Sequence, residues 1–121
     1  MVFDVSKVSG IGEYTTDVVS LGEGVDAEEV TVYRVATTAP EDKADSLDYV
    51  EEGSRAFLVV RKNTVEVRCD EKLSNLLRGK YESVMESRYF GRGGIEIVNS
   101  GQLAENELYD LVRLSYRLSG E

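Results

Sequence analysis

Residues 55–69 read RAFLVVRKNTVEVRC, two runs of β-forming residues on either side of the polar pair Lys62-Asn63. This pattern predicts a β-hairpin, because Asn tolerates the positive φ that a two-residue hairpin loop requires. The closed loop sets Arg61 opposite Thr64, and one face is then built from three apolar cross-strand pairs: Val60 with Val65, Leu58 with Val67, and Ala56 with Cys69. A one-residue slip would scatter these side chains over both faces, so the pattern supports this register.

The other face of the predicted hairpin is mixed in character. It carries Phe57, Val59 and Arg61 on one strand and Thr64, Glu66 and Arg68 on the other. Phe57 and Val59 on an uncovered sheet surface would form an apolar patch that a partner can bury. We therefore expect this face to be the side of the sheet that meets another molecule.

Composition limits the class of protein. A chain of 121 residues with 41% hydrophobic residues predicts one globular domain over residues 1–121. No apolar run approaches the roughly 18 to 20 residues that cross a bilayer, and residues 1–4 lack the pattern of a signal peptide, so we expect a cytoplasmic protein without membrane contact. Abundant acids, few lysines and no tryptophan are similar to the composition of proteins from salt-loving microbes.

The chain contains no histidine and one cysteine, Cys69. The usual general base, the usual transition-metal ligands and an intrachain disulfide are therefore missing. We therefore expect that the protein is not an enzyme, and that it has no catalytic residues, no metal-binding residues and no cofactor. Cys69 lies on the apolar face of the hairpin, which favours a buried structural thiol over a reactive one.

The net charge of −9 is distributed unevenly. Residues 1–53 hold 13 acids and 3 bases, whereas residues 54–121 hold 10 acids and 11 bases. Between residues 55 and 92 there are 9 bases and 5 acids. A polyanion such as a nucleic acid would have to meet this segment and avoid the rest of the surface.

Periodicity predicts the remaining elements. Strands are expected at residues 14–21 and 28–37, joined as a hairpin, and an acidic helix at residues 42–52. Asp70 is expected to cap a helix that ends at Gly79, followed by an irregular connection over residues 80–94 in which Tyr81, Val84 and Met85 anchor to the core. A last strand with Ile95 and Ile97 facing inward precedes a helix over residues 104–118. The expected architecture is a single α+β domain, an antiparallel sheet with helices packed mainly on one face.

The second half of the chain resembles a known family. The hairpin ending in Cys69-Asp70, the leucine-rich helix, the last strand at residues 95–98 and the final helix with Glu107-Leu108 and Leu111-Val112 look like the C-terminal half of the MmcQ/YjbR-like family, over about residues 55–118. The resemblance implies a compact fold with an antiparallel sheet and suggests DNA binding. Where that family has a basic and aromatic stretch with His-Trp, this chain has residues 88–94, RYFGRGG.

Three segments allow alternative interpretations. Residues 22–27 match G-x-G-x-x-A, but a strand follows them, which favours a turn over a pyrophosphate site. The carboxylates of residues 41–52 are compatible with a hard cation but lack the spacing of a calcium loop, which favours a solvated face. In residues 88–94, Arg88 and Arg92 suit an anion, and Tyr89 and Phe90 suit stacking on a base or a partner. The alternative is that both aromatic rings fill the core.

Two functions compete on these grounds. The first is a non-catalytic interaction module that self-associates, as a homodimer, or binds a protein partner. The second is a nucleic-acid-binding regulator that uses the basic segment 55–92. A continuous positive stripe through Arg61, Arg68, Arg88 and Arg92 would favour the regulator, and interspersed acids would disfavour it.

Overall fold

A computed structural model describes residues 3–22, 24–37, 53–99 and 101–120 of the chain. One-turn 3₁₀ helices lie at Val5–Lys7 and Gly24–Asp26. The longer elements are β1 (Thr15–Leu21), β2 (Glu28–Ala36), β3 (Ser54–Val60), β4 (Thr64–Arg68), α1 (Glu71–Lys80), β5 (Val84–Ser87), β6 (Gly91–Val98) and α2 (Glu105–Gly120). The helix expected at residues 42–52 lies outside the described residues.

The predicted hairpin is confirmed as β3 and β4. Val60 pairs with Val65 and Leu58 with Val67, and the backbone N–H of Arg61 donates to the carbonyl of Thr64 at 2.9 Å across the turn. All four apolar side chains are at most 5% exposed. The alternation of apolar residues therefore determined the register as expected.

The pairing of β3 with β4 ends at Leu58 and Val67, so the predicted pair of Ala56 with Cys69 does not form. The reason is a bulge in β3. The register of β2 with β3 shifts between Tyr33 and Arg34, so that Phe57 is the additional residue of β3. Phe57 consequently turns toward α2, where its ring centroid lies 5.0 Å from that of Tyr116. The expectation that Phe57 shares the face of Val59 is wrong, because a bulge reverses the alternation of side chains.

Helix α2 completes the hydrogen bonding at this bulge. Ser115 Oγ donates to the carbonyl of Phe57 at 2.5 Å and accepts from the backbone N–H of Arg68 at 2.7 Å. Continuing the regular alternation would join Phe57 and Arg68 directly, so the Ser115 hydroxyl stands between two strands that have separated. Ser119 repeats the arrangement one turn later by donating to the carbonyl of Ala56 at 3.0 Å.

The sheet is open, antiparallel and six-stranded, in the order β1-β2-β3-β4-β6-β5. Both α-helices of the described residues pack on the same side, and their apolar residues join one core with strand residues such as Val65, Val67, Ile95 and Ile97. Asp70 caps α1 as predicted by accepting from Leu73 N–H at 2.8 Å. The described residues thus form a single α+β fold with both of their α-helices on one face of the sheet.

The connection over residues 80–94 is more regular than its sequence indicates. It contains the four-residue strand β5, and α1 continues through Gly79 to Lys80. Val84 is buried as predicted, but Met85 is 41% exposed, because neighbouring residues of a strand point to opposite faces and Met85 points away from the helices. The expectation of an irregular segment is wrong, because residues 84–87 form the short strand β5 by pairing with β6.

Candidate functional site

The face of the sheet away from the helices has a small apolar core of its own. The turn between β5 and β6 folds back over this face and buries Tyr89 and Phe90, each 6% exposed, whose ring centroids lie 5.1 Å apart. They join four strand residues: Val30, Val32, Ala56 and Val59. The aromatic pair therefore fills a core, and the expectation of an uncovered patch is wrong, since Phe57 and Val59 are both 0% exposed.

A buried carboxylate holds this turn in place. Glu66 is 0% exposed, and its Oε1 accepts hydrogen bonds from Ser87 Oγ at 2.7 Å and from the backbone N–H of Tyr89 at 2.9 Å. Its Oε2 accepts from Arg61 Nε at 2.6 Å. Glu66, which the sequence pattern placed on the mixed face, thus holds the turn that carries Tyr89 and Phe90.

A second carboxylate lies beside Glu66 on the neighbouring strand β6. Glu96 is paired with Glu66 in the β4–β6 register, accepts from Arg88 Nε at 2.9 Å and Nη2 at 2.7 Å, and accepts from Thr64 Oγ1 at 2.8 Å. Burial is the largest single influence on the pKa of Glu96 and raises it, but the hydrogen bonds and charges of its partners together outweigh burial and lower the pKa. The hydrogen bond to Glu96 in turn raises the pKa of Arg88.

Glu28 joins the two ion pairs into one cluster. Its Oε2 lies 2.8 Å from Arg61 Nη1 and 3.9 Å from Arg88 Nη1. We call Glu28, Arg61, Glu66, Arg88 and Glu96 the glutamate network. Both oxygens of Glu66 and of Glu96 accept hydrogen bonds, which is the arrangement of a structural lock rather than of a free general base.

The four predicted basic residues do not form one positive stripe. Arg61 is 5% exposed between Glu28 and Glu66, and Arg88 is held by Glu96. The guanidinium of Arg68 lies 5.0 Å from the Phe90 ring centroid and donates to Ser119 Oγ at 2.9 Å. Arg92 is exposed. Acids are therefore interspersed among the bases that were expected to meet a polyanion.

Exposed apolar surface lies instead near β1. The described residues expose six large apolar side chains, four of them within residues 14–25: Tyr14 (37%), Val18 (62%), Val19 (37%) and Val25 (101%). Strand β1 is the first strand of the sheet, and no described residue pairs with its outer edge. The sequence predicted this strand but held no signal of its edge position, which depends on the pairing of the other five strands.

The backbone groups on the outer edge of β1 can be assigned from the alternation of antiparallel hydrogen bonds. Arg61 and Thr64 form a hydrogen-bonded pair, so the backbone N–H and C=O groups of Val59 point toward β4 and those of Val60 point toward β2. By the same alternation, the backbone groups of Thr31 point toward β3, and those of Val32 point toward Asp17 of β1. The N–H and C=O groups of Thr16, Val18 and Ser20 therefore point away from the sheet.

The two edges of the sheet differ in how they are protected. Strand β5 has four residues, carries the exposed Glu86 and is irregularly paired with β6. Strand β1 has seven residues, pairs regularly with β2 and contains neither proline nor lysine. Short length, charge and irregularity are the means by which proteins block edge pairing, and β1 has only Asp17 in that role.

The described surface has a further cleft, away from the sheet edges. Phe3, Asp4 and Tyr109 are among the residues that line it, and the hydrogen bonds from Ser6 lower the pKa of Asp4 rather than raise it. Within the described ranges, no group of three or more His, Cys, Asp or Glu is placed to hold a metal ion. No helix among the described residues is long and apolar enough to cross a membrane.

Comparison with family models, with curated proteins and with solved structures finds no match to this chain. The resemblance of residues 55–118 to the MmcQ/YjbR-like family therefore stays a prediction from sequence.

Proposed function

We propose that this chain is a non-catalytic interaction module that binds an extended strand, from a protein partner or from a second copy of itself, along the outer edge of β1. One observation carries the proposal: β1 combines outward-pointing backbone groups at Thr16, Val18 and Ser20 with exposed apolar side chains. An added strand satisfies such backbone groups and buries such side chains at once. Cytoplasmic placement belongs to the same proposal, since the lone cysteine suits a reducing compartment.

Nucleic-acid binding is the second candidate, and the charge arrangement weighs against it. The suggestion of DNA binding comes from the family resemblance and from the basic segment 55–92. Arg88 is exposed, but its Nε and Nη2 already donate to Glu96, which neutralises part of the charge that a phosphate would meet. Arg61 lies between two carboxylates and is 5% exposed. Arg61 is thus withdrawn from solvent, and Arg88 stands beside a carboxylate that would repel a phosphate.

A labelled peptide tests strand addition directly. We expect a fluorescein-labelled peptide of residues 14–22 to bind the full chain saturably in an anisotropy titration. Val18→Pro removes one outward N–H and should abolish binding without unfolding the chain, because proline is tolerated on the outer side of an edge strand. Val18→Thr, which keeps the N–H and a β-branched side chain, is the matched control and should retain binding.

The same titration with duplex DNA separates the two candidates. The interaction module predicts no binding to DNA at any salt concentration used for the peptide. A chain that ignores the peptide but binds duplex DNA in the micromolar range, with binding lost in Arg88→Glu and Arg92→Glu, would overturn the proposal and favour the regulator.

A further inference from the structure

We infer that the strand bound by β1 is β1 of a second copy, antiparallel to the first and related to it by a twofold axis through Val18. This inference rests on the proposed function, because it uses the same edge and names its occupant. It makes the two sheets continuous across the dimer. The argument comes from the symmetry of the strand Thr15–Leu21 about its own midpoint.

Hydrogen bonding selects the register. In an antiparallel pair, outward-pointing residues of one strand must meet outward-pointing residues of the other. With the axis at Val18, Val18 meets its own copy, and Thr16 meets Ser20 in both directions. All three outward-pointing residues of each strand are then paired. Moving the axis by one residue to Asp17 or Val19 leaves one of the three without a partner on each strand.

Side-chain chemistry selects the same register. An axis at Val18 places two Val18 side chains, each 62% exposed in the single chain, against one another on the helix side of the sheet. On the other side it places Asp17 opposite Val19 rather than opposite its own copy. An axis at Asp17 would set two carboxylates face to face, which is unfavourable.

Charge and size predict a weak association that strengthens with salt. The strand offers seven residues a side, whereas stable complexes use roughly 20–30 residues a side. The two Asp17 side chains lie diagonally, about 7–8 Å apart, and each chain carries a net charge of −9. We expect a micromolar or weaker dimer whose dissociation constant falls as salt rises, and which Asp17→Asn tightens roughly two- to threefold.

Sedimentation equilibrium and disulfide trapping test the inference together. In a Cys69→Ala background, Val18→Cys should form an intermolecular disulfide at least tenfold faster than Val25→Cys. Val25 is the matched control because it is fully exposed but lies outside the strand. Thr16→Cys mixed with Ser20→Cys should give crosslinked heterodimers, whereas each alone should not, because only the predicted register brings those positions within disulfide reach.

The possible failures are distinct. A chain that stays monomeric at high concentration and high salt, or one that dimerises equally well as Val18→Pro, overturns the second-copy inference. If the peptide of residues 14–22 still binds in that case, the edge accepts an added strand, so the proposed function stands and only the second-copy inference fails. If Val25→Cys crosslinks as fast as Val18→Cys, the contact is collisional, and the assigned register is wrong.

Discussion

Glu66 is completely buried, and its carboxylate holds residues 87–90 against the sheet through hydrogen bonds from Ser87 and Tyr89. The alternation of residues 55–69 placed it on the mixed face of the hairpin, which is correct. It did not predict complete burial, because burial depends on Ser87 and Tyr89, about 20 positions away in the chain, folding back over the strand. A contact that is distant in sequence leaves no mark in local periodicity.

We expect Glu66→Gln to destabilise the fold by roughly 3 kcal/mol, because removing one member of a buried ion pair leaves the other charge inadequately compensated. Urea unfolding measures the change. Glu28→Gln is the matched control: its side chain is 37% exposed, so its loss should cost less than about 1 kcal/mol. Equal effects of the two substitutions would show that Glu66 is not the anchor of residues 87–90.

Cys69 gives a prediction about pH. Burial, followed by the nearby charge of Asp70, raises the pKa of the thiol to about 11 from an ordinary 9.0. Because the folded pKa is the higher one, this thiol's contribution to stability is complete below pH 9 and is lost as the pH rises toward 11. Native protein at pH 8 should therefore react with thiol reagents far more slowly than unfolded protein.

Cys69→Ala is the control for the pH effect, since it should lose less stability between pH 8 and pH 10 than the parent chain does. Rapid labelling of the native protein at pH 8, or an unchanged pH dependence in Cys69→Ala, would contradict the burial of this thiol.

At the scale of elements, strong periodicity predicted well and irregularity was missed. The strands β1 to β4, the inward-facing Ile95 and Ile97, and both helices of the described residues follow from apolar spacing and capping. The bulge at Phe57 and the short strand β5 do not, because each exists through its neighbours: α2 supplies the hydroxyl at the bulge, and β6 supplies the ladder for β5. The expected apolar patch on the hairpin is not exposed, because the bulge turns Phe57 toward α2 and residues 89–90 cover Val59.

Val65→Asp or Val67→Asp tests the hairpin as an element. Both valines are 0% exposed, and an unpaired buried carboxylate costs several kcal/mol against the roughly 5–15 kcal/mol that stabilises a domain. We expect neither variant to show a cooperative thermal transition. Val18→Asp introduces the same side chain at an exposed strand position and should melt like the parent. A parent-like melting temperature for either core variant would mean that the register is inverted.

Ser115→Ala tests the junction between helix and sheet. The substitution leaves the carbonyl of Phe57 and the N–H of Arg68 without the hydroxyl that bridges them. Buried backbone groups that lose a partner cost about 1–3 kcal/mol. Asn106→Ala, at an exposed position of the same helix, is the control and should not destabilise in chemical unfolding. An unchanged stability of Ser115→Ala would show that the strands close directly on one another.

At the scale of the whole molecule, both faces of the sheet are covered at their centre, whereas the outer edge of β1 is exposed. The helices cover one side of the sheet, and residues 89–90 with the glutamate network close the centre of the other. Among the described residues, four of the six exposed large apolar side chains lie within residues 14–25, in β1 or next to it. Two copies of this acidic chain repel each other at low salt, and they can associate through this edge when salt screens the repulsion.

Amide hydrogen exchange across residues 15–21, followed as a function of protein concentration, tests the central claim most directly. The N–H groups of Asp17, Val19 and Leu21 point toward β2 and should be protected at every concentration. Those of Thr16, Val18 and Ser20 should exchange rapidly in dilute solution and become protected as concentration and salt rise, or when the peptide of residues 14–22 is added. If these three amides are already protected in the dilute monomer, or stay unprotected under all those conditions, the edge of β1 is not a binding surface.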